Sequence, residues 1–152
     1  MSESGGDSRR LDLARLTAET IRRAVVSILA AEPAVSLGYL FGSAARDRLT
    51  PLSDIDVAVL LDGRPETRTD LLDRLAEALS RSLGTDAIDL VMLNAAPPPI
   101  RYRVIRDGVL MVCRDQKIRE RFEADTVRRY LDFKPLRDRA FRDMQKALGE
   151  SG

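Results

Sequence analysis

The sequence predicts an α/β (α+β) fold in which helices flank a small mixed β-sheet. Three observations indicate this fold. Apolar residues recur at helical spacing in several segments, short runs rich in β-branched residues lie between those segments, and Gly, Asp and Pro separate the two kinds of segment. An alternation of helices and strands along a chain is typical of domains whose helices pack on a sheet.

The helices are predicted from the spacing of apolar side chains and from the residues that begin or end a helix. Four helical segments follow from the spacing: residues 11–31, 44–49, 71–83 and 115–148. The run Pro97–Pro99 can begin one more helix, because proline suits a first turn whose N–H groups are unpaired anyway. We expect Pro135 to break or kink the last helix near Lys134.

The strands are predicted where apolar and β-branched residues cluster between turn-forming residues. There are four of them: residues 35–41, 55–61, 87–93 and 109–113. A length of 152 residues fits one ordinary domain. We therefore expect a flexible start over residues 1–10, and a single domain over residues 11–152 that includes C-terminal helices at 115–148.

The composition excludes several classes of site. With one Cys and no His, the chain can form neither a Cys/His zinc site nor a Ser-His-Asp triad, so acid–base chemistry has to use carboxylates. A formal net charge of +1 argues against a nonspecific nucleic-acid binder, and no direct contact with nucleic acid is expected. The apolar runs are too short to cross a membrane, and no export signal precedes them, so we expect a cytoplasmic protein.

Two aspartates lie at the start of the second predicted strand, Asp54 just before it and Asp56 within it, and their like charges need an explanation. Alternate residues of a strand point to the same face, so Asp54 and Asp56 place two carboxylates on one side with Cα atoms roughly 6 to 7 Å apart. Like charges at this spacing repel each other unless they are exposed or neutralised. Mg²⁺ binds such oxygen ligands and completes its coordination with water and substrate phosphates. The pair therefore indicates a magnesium site.

A phosphate-binding site is predicted beside the magnesium site. Gly42 and Ser43 follow a strand and precede a predicted helix, so the backbone can approach a phosphate closely, and Ser43 adds a hydroxyl. Asp89 is a lone aspartate in the third strand, and an adjacent strand would bring it to the same metal centre. An aspartate at a strand end is also commonly a solvated turn residue, so both interpretations of Asp89 remain open here.

The residues of the predicted magnesium and phosphate sites resemble a motif of a known protein family. Gly42-Ser43, then ten residues, then Asp54-Ile55-Asp56, with Asp89 on a later strand, resembles the polymerase-β-type nucleotidyltransferase superfamily, and the small size resembles its minimal, MNT-type antitoxin members. The likeness continues less closely in "RYRVIRDGVLMVCRD" and "RRYLDF". In this family relatives commonly have Gly directly after the Arg of the helix, whereas here Asp47 follows Arg46.

The resemblance implies a domain that binds ATP with Mg²⁺. Members paired with a HEPN-type toxin transfer AMP to a tyrosine of that toxin and neutralise it. Carried over by position, Gly42, Ser43 and Arg46 would contact the triphosphate. The residues that would bind metal and catalyse are Asp54, Asp56 and Asp89, with Asp89 also helping to deprotonate the acceptor.

Two other functions are compatible with the same residues. One is AMP transfer to a small molecule of the aminoglycoside type, although such enzymes usually carry a larger acceptor-binding region. The other is a non-catalytic antitoxin that inhibits its toxin by contact alone and retains an unused nucleotide pocket.

Overall fold

The computed structural model describes residues 17–45 and 54–150. It contains four helices, α1 (Ala18–Ala30), α2 (Pro65–Leu83), α3 (Pro98–Asp107) and α4 (Gln116–Glu150), and four strands, β1 (Val35–Phe41), β2 (Ile55–Leu61), β3 (Ile88–Met92) and β4 (Val109–Cys113). Thr17 is extended and caps α1, so the predicted first helix at 11–31 does not run through this residue. Residues 11–16, the predicted flexible start and most of the predicted helix at 44–49 lie outside the described residues. No helix of the described ranges is long and apolar enough to cross a membrane.

The first two helices begin and end where local chemistry dictates. Thr17 caps α1, because its side-chain oxygen accepts a hydrogen bond from the backbone N–H of Thr20 at 3.1 Å. Helix α2 starts at Pro65 rather than at Leu71, the first apolar residue of its stripe, because proline fits the first turn and the turns before Leu71 are polar and exposed. It ends at Gly84, which adopts a left-handed conformation.

The strands form one mixed sheet in the order β3-β2-β1-β4. Strand β1 is antiparallel to both β2 and β4, and β2 is parallel to β3. The predicted mixed sheet is therefore confirmed. Three strands have the predicted bounds, and β3 is one residue shorter at each end than expected.

Each face of the sheet is covered by two helices. On one face, α1 and α2 bury Ile21, Val25 and Leu79 against β2 residues such as Val57. On the other face, α3 and α4 bury their own apolar residues against the side chains of β1 and β2, among them Tyr39, Phe41, Ala58, Val104 and Phe122. Because side chains alternate along β2, Val57 points to the first face and Asp56 points to the face that carries α3 and α4.

The last helix is continuous, so the expected break near Lys134 is wrong. Helix α4 runs from Gln116 to Glu150 with Pro135 in its interior. A proline there removes one backbone hydrogen bond and crowds the preceding turn, which costs about 3 kcal/mol. The residues around it, mainly Arg, Lys, Ala, Leu and Gln, favour helix strongly, so the helix continues beyond the proline.

Candidate active site

The candidate site lies at one edge of the sheet, where β1 ends and β2 and β3 begin. Asp56 is the register partner of Phe41 on β1 and of Asp89 on β3. Since neighbouring strands lie about 4.8 Å apart and register partners share a face, Asp56 and Asp89 are side by side on the α3 and α4 face. The predicted approach of Asp89 to Asp56 is therefore observed.

Asp54 completes the acidic group immediately before β2. Asp54 and Asp89 are exposed, whereas Asp56 is half-buried. Burial raises the pKa of Asp56 above its ordinary value, and the negative charges of Asp89 and then Asp54 raise it further. Both neighbouring carboxylates are thus close enough to act on Asp56. An added cation would relieve this repulsion.

Gly42 forms the other wall of the site. It follows β1 and has a left-handed backbone conformation, with φ of +69°. Residues other than glycine rarely adopt this conformation. A Cβ atom placed on Gly42 would collide with Oδ2 of Asp56 and lie 3.1 Å from its Cγ. The carboxylate of Asp56 therefore packs directly on the Gly42 backbone. Ser43 follows in the same turn and is half-buried.

The donor chemistry of the site suits Mg²⁺, but the protein ligands alone do not form a cage. In the ranges 17–45 and 54–150, no group of three or more His, Cys, Asp or Glu side chains is placed to hold a metal ion. Mg²⁺ is commonly bound through one or two carboxylates, with waters and substrate phosphates supplying the other ligands. Two of the three aspartates would suffice for that pattern, and the individual roles of Asp54, Asp56 and Asp89 as metal ligands and catalysts stay a prediction.

Two arginines concern the charge of the site, one predicted from the sequence and one found in the structure. Arg46, the predicted phosphate contact, lies outside the described residues, as does the neighbouring Asp47. Arg103 on α3 was not predicted, although its positive charge favours the ionised form of Asp56. The sequence offers no signal for it, because only the packing of α3 on the sheet brings it towards the acidic group.

Comparison with known proteins gives the family of this chain. The family model for polymerase beta nucleotidyltransferases matches residues 23–117, which is more than half of the chain. The chain belongs to this nucleotidyltransferase family. The matched region includes every predicted site residue from Gly42 to Asp89, and also Arg103. A search of curated proteins gives no significant match.

Several solved structures similar to this nucleotidyltransferase are toxin–antitoxin complexes. One holds a tri-AMPylated HEPN toxin of Shewanella oneidensis with an MNT antitoxin, with a TM-score of 0.66 and 26% identity over 84% of this chain and 98% of that chain. Another is a toxin–antitoxin with AMP-PNP, with a TM-score of 0.69 and 27% identity over 82% of this chain and 98% of that chain. A third is a MntA toxin–antitoxin mutant with two Asp-to-Glu changes at positions separated by one residue, with a TM-score of 0.68 and 26% identity over 82% of this chain and 98% of that chain.

Proposed function

We propose that this nucleotidyltransferase is an antitoxin that transfers AMP from MgATP to a tyrosine hydroxyl of a HEPN-family toxin and so neutralises it. The observation that carries the proposal is the side-by-side placement of Asp56 and Asp89 against the Gly42 turn. Support for the partner comes from the solved neighbours, one of which is a complex with an AMPylated HEPN toxin and another a complex with AMP-PNP.

The reaction assigns a different task to each part of the site. The acceptor oxygen attacks the α-phosphorus of ATP, a new P–O bond forms, the bond to the β-phosphate oxygen breaks, and pyrophosphate leaves. Asp89 is exposed on the sheet edge beside Asp56, so it can accept the proton of the acceptor hydroxyl. The backbone at Gly42 and Ser43 would contact the triphosphate, because Gly42 lies against Asp56 and has no side chain to keep a phosphate away.

Asp54 and Asp56 would hold Mg²⁺ together with the triphosphate. A bound magnesium ion supplies charge neutralisation and polarises the phosphate under attack. The electrostatics of the chain support this role, since burial and two neighbouring carboxylates raise the pKa of Asp56 and make its ionised form less favourable than that of an exposed carboxyl group. A half-buried acidic group of this kind is stabilised when a cation joins it.

The test is AMP transfer in a purified system. The protein is mixed with ATP, Mg²⁺ and the HEPN-family toxin proposed as its partner, and the intact mass of the toxin is measured. We expect a mass increase equal to one or more AMP groups with the wild type and none with the double variant Asp54→Asn, Asp56→Asn. Asp73→Asn is the matched control, because Asp73 is an exposed aspartate of α2, on the opposite face of the sheet. A toxin of unchanged mass with wild-type protein would contradict the proposal.

One observation favours the non-catalytic antitoxin as the second candidate. The C-terminal part of α4 exposes large apolar side chains, with Leu136 at 65% and Leu148 at 68% exposure, and such residues suit contact with a partner. The same double variant separates the two functions. If it still neutralises the toxin in cells while the toxin remains unmodified, inhibition works by contact and catalysis is not required.

A further inference from the structure

The strand that carries Asp89 is held less firmly than the centre of the sheet. Strand β3 has five residues, and β2 is its one neighbour among the described strands. Asp89 is exposed and the other four residues of β3 are half-buried, whereas every residue of β1 is buried. Backbone hydrogen bonds repeat along a parallel ladder, so they do not distinguish the observed register from one shifted by two residues. A contact that forms in one register alone would fix Asp89 beside Asp56.

Asn94 makes such a contact just beyond the end of β3. The backbone N–H of Leu61 donates to Oδ1 of Asn94 at 2.8 Å, and Nδ2 of Asn94 donates to the backbone oxygen of Leu61 at 2.9 Å. The neighbouring backbone bond runs from the N–H of Leu93 to the oxygen of Val59 at 2.8 Å. The backbone then turns away from β2. The side-chain amide of Asn94 therefore takes the place of the peptide group that would continue the ladder.

Asn94 is itself held by the elements on the α3 and α4 face. Nη2 of Arg101 donates to the backbone oxygen of Asn94 at 2.8 Å, and the same guanidinium lies over the ring of Phe122 on α4. Leu93, directly before Asn94, is fully buried in the cluster that also contains Phe122. The side chain of Asn94 thus starts from a fixed backbone, and its pairing with Leu61 is specific in position.

Fixing Asn94 along β2 also fixes Asp89 at the other end of the strand. An extended strand rises about 3.3 Å per residue and cannot stretch further, so a slide of β3 moves both of its ends together. A shift by two residues would displace Asp89 by about 7 Å while keeping its side chain on the same face. The same shift would separate Asn94 from Leu61, whose buried backbone groups would lose both partners. The pairing therefore opposes the slide.

We propose that Asn94 is a positioning residue of the reaction, whose side-chain amide pairs with Leu61 and so holds Asp89 beside Asp56. This inference rests on the proposed function, because it takes Asp89 as the group that accepts the proton of the acceptor hydroxyl. The groups proposed to bind MgATP belong to β1, β2 and the turns next to them, which Asn94 does not hold in place. Loss of Asn94 should therefore impair catalysis more than the binding of MgATP.

The first test measures kcat and the KM for MgATP in AMP transfer to a HEPN-family toxin. We expect Asn94→Ala to lower kcat about tenfold or more and to leave KM within about twofold of the wild type, because a misplaced reacting group slows the chemical step. Asn94→Asp should lower kcat as well, since it keeps the volume but sets a carboxylate oxygen against the backbone oxygen of Leu61. The control is Ile21→Val, a change at a fully buried residue of α1 that should lower Tm without changing kcat.

Amide hydrogen exchange, measured by NMR, tests the register without any reaction. In Asn94→Ala the N–H groups of β3 should exchange about tenfold faster or more than in the wild type, while those of β1 keep their rates. Ile21→Val should change both strands alike. Wild-type exchange in β3 of both Asn94 variants would overturn the inference, and so would wild-type kcat in Asn94→Asp. If the wild type transfers no AMP, the proposed function fails, and the exchange rates still decide whether Asn94 fixes β3.

Discussion

At the scale of single residues, the site depends on a glycine whose conformation and surroundings both exclude a side chain. Gly42 has a φ of +69°, and the carboxylate of Asp56 occupies the space that a Cβ atom would need. The sequence predicts glycine here for the approach of a phosphate. In the structure, the same absence of a side chain also admits Asp56. A single residue thus connects the turn after β1 with the acidic edge.

Gly42→Ala should therefore destabilise the protein more than the same substitution at another left-handed glycine. The matched control is Gly84→Ala at the end of α2, where φ is +68° and nothing lies within 4 Å of the added Cβ. Both changes carry the left-handed strain of about 1 kcal/mol, but only Gly42→Ala must also displace Asp56. Thermal unfolding should show a Tm decrease of roughly 2 to 4 °C for Gly84→Ala and a larger one for Gly42→Ala. Equal decreases would show that Asp56 moves without cost.

Asp56 and Asp89 show what residue-level reasoning can and cannot predict. The sequence marks each as a charge within an apolar strand, and alternation along β2 places Asp54 and Asp56 on one face. Their register across two parallel strands is a tertiary property and had to be observed. Arg103 could not be predicted at all, since nothing around it in the sequence distinguishes it from the other arginines of α3.

At the scale of elements, the two ends of α4 have different roles. Phe122 and Thr126 are buried against the sheet, and Tyr39 donates a hydrogen bond to Glu123 at 2.9 Å, which fixes the first turns of the helix on β1. Residues 134–149 are all exposed. We call this exposed part, residues 134–149, the helical arm. Tertiary packing stabilises the beginning of α4, while the helical arm depends on local helix propensity.

Removing residues 135–152 should leave the folded domain intact. The described side chains lost in this truncation are exposed, so we expect the Tm to stay within about 2 °C of the wild type while far-ultraviolet circular dichroism loses helical signal. Leu79→Ala provides the comparison, because Leu79 is fully buried between α2 and the sheet and its truncation should cost about 2 to 5 kcal/mol. A Tm loss of similar size in the shortened protein would mean that the helical arm packs on the domain.

The elements were predicted well where the local signal is strong. Strands β1, β2 and β4 have the predicted bounds, because each is an apolar run between turn residues. The beginning of α2 was placed too late, since its first turns contain no apolar residue to mark them. The effect of Pro135 was overestimated, because strong helix formers on both sides of the proline continue the helix. The strand order β3-β2-β1-β4 needs long-range pairing, which no local pattern encodes.

At the scale of the whole molecule, the stability of the folded domain depends on the charge of the acidic group formed by Asp54, Asp56 and Asp89. The apolar clusters on the two faces of the sheet hold β1, β2 and β3 in register, and this register forces Asp56 beside Asp89. The pKa of Asp56 is raised above 3.8 in the folded protein, first by burial and then by the two neighbouring carboxylates. Folding therefore favours protonated Asp56. This stabilisation of the folded state is complete below pH 3.8 and is lost as the pH rises through the raised pKa of Asp56.

Asp56→Asn should consequently be more stable than the wild type at pH 7 in the presence of a chelator. Asparagine has a similar shape and no charge, so it removes the repulsion, and we expect the Tm of the variant to be higher than that of the wild type. The advantage should shrink as the pH is lowered through the raised pKa, because wild-type Asp56 then becomes neutral as well. Asp73→Asn, an exposed control, should show no such trend.

Bound nucleotide should make the wild type more stable than Asp56→Asn. A ligand that binds only the folded state stabilises it by about 2.7 kcal/mol at one hundred times its Kd, so AMP-PNP with Mg²⁺ should raise the Tm of the wild type by roughly 5 to 10 °C. Asp56→Asn lacks one predicted metal ligand and should gain little at the same concentration. Differential scanning fluorimetry from pH 5 to 8, with and without the nucleotide, measures both effects. A variant that is less stable than the wild type at pH 7 without metal would contradict the linkage, because Asp56 would then stabilise the fold in its charged form.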